Sequence, residues 1–374
     1  MRKNYLDIID PIHDFIRVYD HELKIIDNPI FQRLRRIRQL SGAHLTYPGA
    51  QHTRFEHSLG VMHIASQAGE ALSEKGILEK DDIKILRLAG LLHDIGHGPF
   101  SHLFEEIIQK KKISHEDFGK KIILNSDIGD ALSQNGYDKK TITKIAFGDS
   151  KFQYLNEIVS KKKLALEKSA LYSFESMMHS RYQMFKAVYF HKTFRAAEVM
   201  LLEALRLSDD EFGFTSFNLN EYTKLTDEYV LSMLLASQTS KLKRAKKFAE
   251  DYQNRKLLKC VYERILTSKT ILEKTKTNEI RSSLSKKSRV DENEIFVDSS
   301  VTPSIPLAPS KKESKQIILI TQENGKSQAQ EMPISKIPVV SAISGFMNIL
   351  RVYTPQKTRK KVEIAAKSIL GDLR

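Results

Sequence analysis

The stretch whose residue types and spacing most favour a chemical role is 86–102, which reads LRLAGLLHDIGHGPFSH. An apolar helical run leads directly into the adjacent pair His93 and Asp94, followed by glycines and a proline of the kind that end helices. Where a helix ends or bends, neighbouring histidine and aspartate side chains can reach the same ion. Imidazole nitrogen together with carboxylate oxygen suits a divalent first-row metal rather than calcium. The stretch therefore predicts a metal site.

Helices are predicted to position this stretch, because apolar residues recur at helical spacing through most of the first 270 residues. The predicted helices cover about 29–40, 54–75, 81–92, 101–110, 127–160, 166–206 and 220–268. Residues 4–20 are predicted to form two short strands joined by a turn. Beyond about residue 275 the pattern favours a strand at 316–323 that enters an Asn-Gly turn, then a helix near 335–345. The predicted fold class is mainly α with a smaller C-terminal α+β region.

Composition limits the classes of protein to consider. A chain of 374 residues can bury one large core plus a smaller domain, or form two to three domains. The single cysteine, Cys260, excludes an intrachain disulfide and a cysteine-based zinc site, and it favours a reducing, cytoplasmic location. We expect no signal peptide and no membrane contact, since no apolar run approaches membrane-spanning length.

The net charge of +14 favours polyanionic partners, either nucleotide phosphates or nucleic acid. Several lysine clusters contribute to it, and each is also explained as the solvated face of a helix. A second histidine motif, Arg54-Phe-Glu-His57-Ser58, opens the predicted helix 54–75. A lone histidine in such a position is more often structural, so His57 gains weight only in combination with the stretch 86–102.

In combination, these two motifs resemble the HD-domain phosphohydrolase superfamily, most closely its dNTP triphosphohydrolase branch. That branch includes the eukaryotic enzyme that joins a sterile alpha motif to an HD domain. The resemblance covers most of residues 5–220. Further matching stretches are Asp10-Pro-Ile-His13, 26–35, Arg38-Gln39-Leu40, Tyr189-Phe-His191-Lys192-Thr193 and the tail 292–355.

The resemblance implies a helical HD catalytic core that binds one divalent metal ion. His57, His93 and Asp94 would hold this ion together with a later aspartate. Its identity stays open among Mn, Fe, Mg, Zn, Co and Ni. The implied reaction is the attack of a metal-activated water on the α-phosphorus of a dNTP, which gives a deoxynucleoside and triphosphate.

The resemblance also assigns roles to single residues. The catalytic positions are His97, His102, His115 and Glu105, with His102 as our hypothesis for the general acid. The positions that contact substrate are Gln39, Leu40, Arg54, Arg181 and Tyr189. An activator-nucleotide site at a subunit interface would involve Asp27, Gln32 and Arg35, although Leu6 replaces a lysine that helps build this site in other members. The family further implies a homo-oligomer, either a dimer or an assembly of dimers.

The sequence departs from the family in one segment. An Asp-rich segment that supplies the fourth metal ligand should follow Ser160, but Ser160 runs directly into Lys161. Two explanations stay open. The protein has the segment but the sequence numbering passes over it, which the family pattern favours, or the segment is truly deleted. We predict an HD catalytic domain over 1–220, a helical extension over 221–290 and a small α+β region over 291–374.

Two alternatives to a dNTP triphosphohydrolase follow from these observations. One is a less specific HD phosphohydrolase that acts on other nucleotides. The other is a catalytically weak regulator that binds nucleotide or nucleic acid, which the missing segment and the positive charge favour. Release of triphosphate from dNTPs would separate the three.

Overall fold

The computed structural model describes residues 4–148, 165–266, 274–303, 316–323, 326–333, 336–343 and 346–371. Helices dominate, and the strands form one two-stranded and two three-stranded sheets. This confirms the predicted fold class, which is mainly α with a smaller C-terminal α+β region. None of the helices in the described part of the chain is long and apolar enough to span a membrane.

The helices and strands are numbered here in chain order. The helices are α1 Asp20–Ile26, α2 Pro29–Gln32, α3 Arg54–Glu74, α4 Lys80–Leu92, α5 His102–Ile108, α6 His115–Asn125, α7 Asp127–Gln134, α8 Lys139–Ala146, α9 Leu171–Met184, α10 Lys192–Phe212, α11 Leu219–Tyr222, α12 Asp227–Ala236, α13 Lys243–Gln253, α14 Lys274–Ser288, α15 Pro338–Ile343 and α16 Arg359–Leu370. The strands are β1 Tyr5–Asp10, β2 Asp14–Tyr19, β3 Ala165–Glu167, β4 Lys259–Leu266, β5 Phe296–Pro303, β6 Gln316–Glu323, β7 Lys326–Pro333 and β8 Phe346–Thr354.

The chain forms two compact units, each built from two chain segments. The first comprises Met1–Lys162 and Leu201–Asn254, and the second comprises Lys163–Met200 and Arg255–Arg374. The boundaries of these two units differ from the predicted domain boundaries at 220/221 and 290/291. The predicted domain division stays a prediction. The junction between 160 and 161 lies outside the described residues.

The first unit begins with the antiparallel hairpin of β1 and β2, as the sequence predicts for residues 4–20. Asp10 closes the turn, since its Oδ1 accepts hydrogen bonds from the backbone N–H groups of Ile12 and His13, each at 2.9 Å. The predicted helix 29–40 is shorter than expected. It becomes a 3-10 helix after α2 and ends at Arg36, because Arg38 pairs with Thr53 in an antiparallel β-bridge.

Helices α3 and α4 form the centre of the first unit's core. The α3 helix starts with a capping box between Thr53 and Glu56. Its buried stripe packs on that of α4; these residues are Phe55, Leu59, Met62, Leu88, Leu91 and Leu92. The two helices approach closely at Gly90, where a Cβ atom would lie 3.3 Å from the Ala65 side chain. This approach sets the start of α3 beside the end of α4.

A buried ion pair ties the hairpin to this helix pair. The Glu22 carboxylate, in α1, accepts two hydrogen bonds from Arg87 of α4, at 2.6 and 2.8 Å. Arg87 also donates to the carbonyl oxygen of Arg17 in β2 at 2.7 Å. Because both charged groups are buried, removing one partner would leave the other uncompensated, at a cost of about 3–5 kcal/mol.

The second unit contains the sheet β4-β8-β5, in which both neighbours of β8 run antiparallel to it. Helices α14 and α16 supply its apolar core, through Leu284 and Val362 against Tyr262 and Val352. Two predictions are corrected here. Residues 259–266 form β4 rather than the end of a helix, and 165–167 form β3, parallel to β6, where a helix was predicted.

Gly96 provides a test of the packing between the turn after α4 and helix α6. A Cβ atom there would overlap the carbonyl oxygen of His115 and the amide nitrogen of Gly119, both of which are backbone atoms. We expect Gly96→Ala to lower the free energy of unfolding by about 3 kcal/mol or more, measured by urea denaturation. Gly49→Ala is the matched control, since a Cβ at Gly49 meets nothing within 4 Å. Equal stability of the two variants would contradict this packing.

Candidate metal centre and active site

Three potential metal ligands come together where α3 begins and α4 ends. His57 lies in the first turn of α3, His93 caps the C-terminus of α4, and Asp94 follows it. One donor atom from each lies within 4.8 Å of the others. His93 Nε2 is 3.2 Å from Asp94 Oδ1, and His57 Nε2 is 3.6 Å from Asp94 Oδ2. Two imidazole nitrogens and a carboxylate fit a divalent first-row metal ion.

The surroundings of these donors prepare them for a cation. His93 Nδ1 lies 2.8 Å from the carbonyl oxygen of Gly90. This contact favours the tautomer with its proton on Nδ1, which leaves Nε2 free to bind an ion.

The charge state of Asp94 depends on groups around its buried carboxyl. Burial opposes its ionisation, but the hydrogen bond from His97 and the charge of Arg54 outweigh this and hold the pKa of Asp94 well below its usual range. Arg54 is itself buried, and its Nη1 lies 2.5 Å from Asp94 Oδ2. The carboxylate is therefore ionised and fixed in place. In the structure the Arg54 guanidinium is directed at Asp94, whereas its predicted contact with substrate phosphate stays a prediction.

Next to the metal donors lies a histidine cluster, which we define as His97, His102, His115 and Glu105. The rings of His97 and His115 stack with centroids 3.9 Å apart, and the His102 ring stands perpendicular to His97 at 5.2 Å. Glu105 accepts from Nδ1 of His115 at 2.8 Å and lies 3.3 Å from Nδ1 of His102. All four predicted catalytic residues are thus brought together, although their roles stay predictions.

The members of the histidine cluster differ in exposure and in electrostatic setting. His97 is buried, and burial lowers its pKa to about 3. Hydrogen bonds from His102 and His115 hold the pKa of Glu105 below its usual range. The His102 side chain is 73 % exposed. His97 Nε2 lies 3.4 Å from Asp94 Oδ1, so one carboxylate contacts both the metal donors and the histidine cluster.

The predicted substrate contacts fall into different parts of the chain. Gln39 and Leu40 follow the β-bridge at Arg38, and the backbone N–H of Gln39 donates to the His52 carbonyl at 3.1 Å. Arg181 in α9 and Tyr189 in the π-helical segment Phe185–Tyr189 belong to the second unit. The sugar, phosphate and nucleoside contacts of these four residues stay predictions.

The predicted activator residues are engaged in local contacts. Asp27 is the C-cap of α1. The Gln32 amide donates to the Ile26 carbonyl at 2.7 Å, and Arg35 donates to Gln32 Oε1 at 2.8 Å. The Arg35 guanidinium also lies 3.5 Å from the centroid of the Phe55 ring. Helix capping and side-chain packing therefore account for these positions, and the activator site stays a prediction.

Sequence reasoning missed the structural use of Arg33. Arg33 lies in an arginine-rich segment after α2, a composition typical of a solvent-exposed or phosphate-facing surface, but its side chain is buried. The guanidinium donates to the carbonyl oxygens of Ile95 and His97, both at 2.9 Å, and of Leu225 at 3.2 Å. It therefore holds the turn that contains Asp94.

Sequence reasoning also missed Asp227, which is buried at the start of α12. Its Oδ1 accepts from the backbone N–H of Phe100 at 2.6 Å, and its Oδ2 accepts from that of Arg38 at 3.0 Å. Burial raises its pKa to about 7, and the two backbone donors oppose this rise. In the sequence, Thr226-Asp227 indicates only the start of a helix. The contacts of Asp227 with Arg38 and Phe100 are long-range, so no local sequence pattern could have predicted them.

Comparisons with known proteins agree with this geometry. The family model for the HD domain matches residues 54–181, and that for the HD associated region matches residues 155–372, more than half of the chain. The first of these matches contains every residue of the metal centre and the histidine cluster.

Relatives with related sequences include proteins from distant organisms. An uncharacterized protein of Methanocaldococcus jannaschii is 32% identical over 269 residues, which cover 63% of this chain and 56% of that protein. The deoxynucleoside triphosphate triphosphohydrolase SAMHD1 homolog of Dictyostelium discoideum is 30% identical over 326 residues, which cover 72% and 62%. The human deoxynucleoside triphosphate triphosphohydrolase SAMHD1 is 28% identical over 350 residues, which cover 68% and 55%.

The chain thus spans between about half and two thirds of the length of these relatives. The HD-domain match covers the metal donors and the histidine cluster, and the match to the HD associated region extends over the C-terminal α+β region. With the donor set and the histidine cluster in place, the chain belongs to the HD-domain superfamily.

Proposed function

We propose that the protein is a metal-dependent phosphohydrolase that cleaves dNTPs at the α-phosphorus into deoxynucleoside and triphosphate. The observation that carries this proposal is the shared carboxylate of Asp94, which contacts both a transition-metal donor set and a histidine cluster. The substrate class is supported by the names of two relatives, each a deoxynucleoside triphosphate triphosphohydrolase or its homolog.

The metal donors would hold the ion, and the protein fixes their charge and orientation before the ion binds. A divalent cation at His57, His93 and Asp94 would acidify a water molecule and offset negative charge on the phosphate. Arg54 keeps the Asp94 carboxylate ionised and oriented, and Gly90 fixes the His93 ring. No ligand proton has to be removed from the carboxyl when the cation binds.

Within the histidine cluster, His102 is the proposed proton donor to the departing sugar oxygen. Its side chain is exposed at the edge of the cluster, where a substrate atom can approach it. Glu105 lies beside its Nδ1 and would stabilise the imidazolium form, leaving Nε2 to donate. The same carboxylate holds His115, so a single group orients two of the rings.

A second candidate function is a catalytically weak regulator that binds nucleotide. The observation that favours it is the sequence itself, which passes from Ser160 to Lys161 without the expected Asp-rich segment. A less specific HD nucleotide phosphohydrolase is the enzymatic alternative. In all three, the proposed ligand is an anionic nucleotide, the proposed assembly is a homo-oligomer and the proposed location is the cytoplasm.

Hydrolysis with defined products tests the proposed reaction. We expect the full chain with Mn²⁺, Mg²⁺, Fe²⁺ or Co²⁺ to release triphosphate, rather than phosphate, from at least one dNTP. Asp94→Asn should lower the rate by at least about 100-fold, because it removes the charged ligand and its link to Arg54. Asp81→Asn is the matched control, since Asp81 is exposed on α4 and pairs with Lys84 of the same helix. No hydrolysis of any dNTP with any of these metals would overturn the proposal.

A second experiment tests the proton donor. His102→Ala should lower kcat about 100-fold or more, as expected for loss of a general acid, while Mn²⁺ affinity stays at the wild-type value. An aryl triphosphate whose phenolate leaves without protonation should recover much of the lost rate. His63→Ala is the control, because His63 lies on α3 outside the histidine cluster. Near-normal dNTP turnover by the His102 variant would contradict the assignment.

A further inference from the structure

We propose that Asp227, at the start of α12, is a positioning residue that sets the orientation of the metal ligand Asp94 through the backbone segments it contacts. The inference rests on the proposed function, because it assumes that the donor set of Asp94 and the two histidines binds a metal ion. Asp227 contacts neither the metal donors nor the histidine cluster in any hydrogen bond of the described residues. Its effect passes through two backbone segments.

The first step is the hydrogen bond between Asp227 and the loop that joins the metal donors to α5. Its Oδ1 accepts from the backbone N–H of Phe100 at 2.6 Å. Phe100 and the following Ser101 both have a φ of 56°, a backbone conformation that costs non-glycine residues energy and persists only when surrounding contacts enforce it. A buried carboxylate that accepts from this loop supplies such a contact.

The second step joins this loop to the segment before α3. The other oxygen of Asp227 accepts from the backbone N–H of Arg38 at 3.0 Å. Ser101 Oγ in turn donates to the carbonyl oxygen of Arg38 at 2.7 Å. Asp227 and Ser101 therefore hold the same residue by its N–H and its carbonyl, and the two segments cannot shift independently.

The third step reaches the metal ligand. Ser101 Oγ accepts from Arg54 Nε at 2.9 Å, and Arg54 Nη1 donates to Asp94 Oδ2. The backbone of Arg54 is fixed as well, since its N–H donates to the Ile37 carbonyl at 2.9 Å. The Arg54 guanidinium thus depends for its position on both segments that Asp227 holds.

A buried arginine connects the same chain segment to the turn at Asp94. Arg33 donates to the carbonyl oxygens of Ile95 and His97, which follow Asp94 closely, and to that of Leu225, two residues before Asp227. The chain segment 225–227 is therefore connected through Arg33 to the turn that follows Asp94 and through Asp227 to the loop at Phe100. This connection explains why a carboxylate is buried at the start of α12 without an ion-pair partner closer than Arg38 Nη1, at 3.9 Å, among the described residues.

The test measures Mn²⁺ affinity of the full chain by calorimetry, together with kcat and KM for a dNTP. In Asp227→Asn the amide N–H₂ faces one of the two backbone donors, so one hydrogen bond is lost. We expect Mn²⁺ affinity to fall about 10-fold, the lower end of the effect of removing an outer partner of a metal ligand. We also expect kcat to fall at a temperature where the variant is fully folded.

Asp138→Asn is the matched control. Asp138 also accepts from two backbone N–H groups, those of Lys140 and Thr141, each at 3.1 Å, at the start of α8. This variant should lose thermal stability but keep wild-type Mn²⁺ affinity and kcat. If the Asp227 variant behaves in the same way, its role is structural only and the inference is overturned.

Ser101→Ala probes the middle of the path and serves also if Asp227→Asn does not fold. It removes the acceptor of Arg54 Nε and should lower Mn²⁺ affinity. In the double variant the two losses should be less than additive, because both act on Arg54. Unchanged Mn²⁺ affinity in Ser101→Ala would overturn the inference. A wild-type chain that binds no Mn²⁺ would instead overturn the proposed function.

Discussion

The buried ion pair between Arg54 and Asp94 is the constraint on which the site depends. An unpaired carboxylate removed from water carries a large free-energy penalty and would take up a proton instead. The hydrogen bond from His97 and the guanidinium of Arg54 together compensate that penalty, so Asp94 stays charged, and Arg54 fixes the orientation of its carboxylate. The start of α3 and the end of α4 must therefore lie side by side, and the close approach at Gly90 makes this geometry attainable.

The ion pair also explains why distant segments converge on the first unit's centre. Arg54 can orient Asp94 only if its own guanidinium is held, and Ser101 supplies the acceptor that does so. Ser101 lies in an unfavourable backbone conformation. Asp227 accepts from the backbone N–H of the residue before it, and Arg33 donates to carbonyl oxygens of the turn that precedes this loop. Buried polar contacts from α12 and from the segment after α2 thus converge on the strained loop and on the turn before it.

Local sequence signals predicted the elements that carry the ligands. The apolar spacing predicted helices α3, α4 and α5 nearly to their ends, and the motif residues at those ends lie close together. The failures have a different origin. The helix after Pro29 stops at Arg36, and β4 replaces a helix, because pairing with Thr53 and with β8 supplies backbone hydrogen bonds from distant segments. Arg33 and Asp227 were missed for the same reason, since their partners lie 62 or more residues away.

The unequal exposure of His102 and Asp94 has a consequence for turnover. In the proposed reaction, a proton donor must be recharged once per cycle, whereas a metal ligand must never take up a proton. His102 faces bulk water and can recover its proton directly from buffer, without an internal relay. Asp94 is shielded behind Arg54 and His97. The fold thus leaves the proposed proton donor open to the solvent and shields the proposed metal ligand from it.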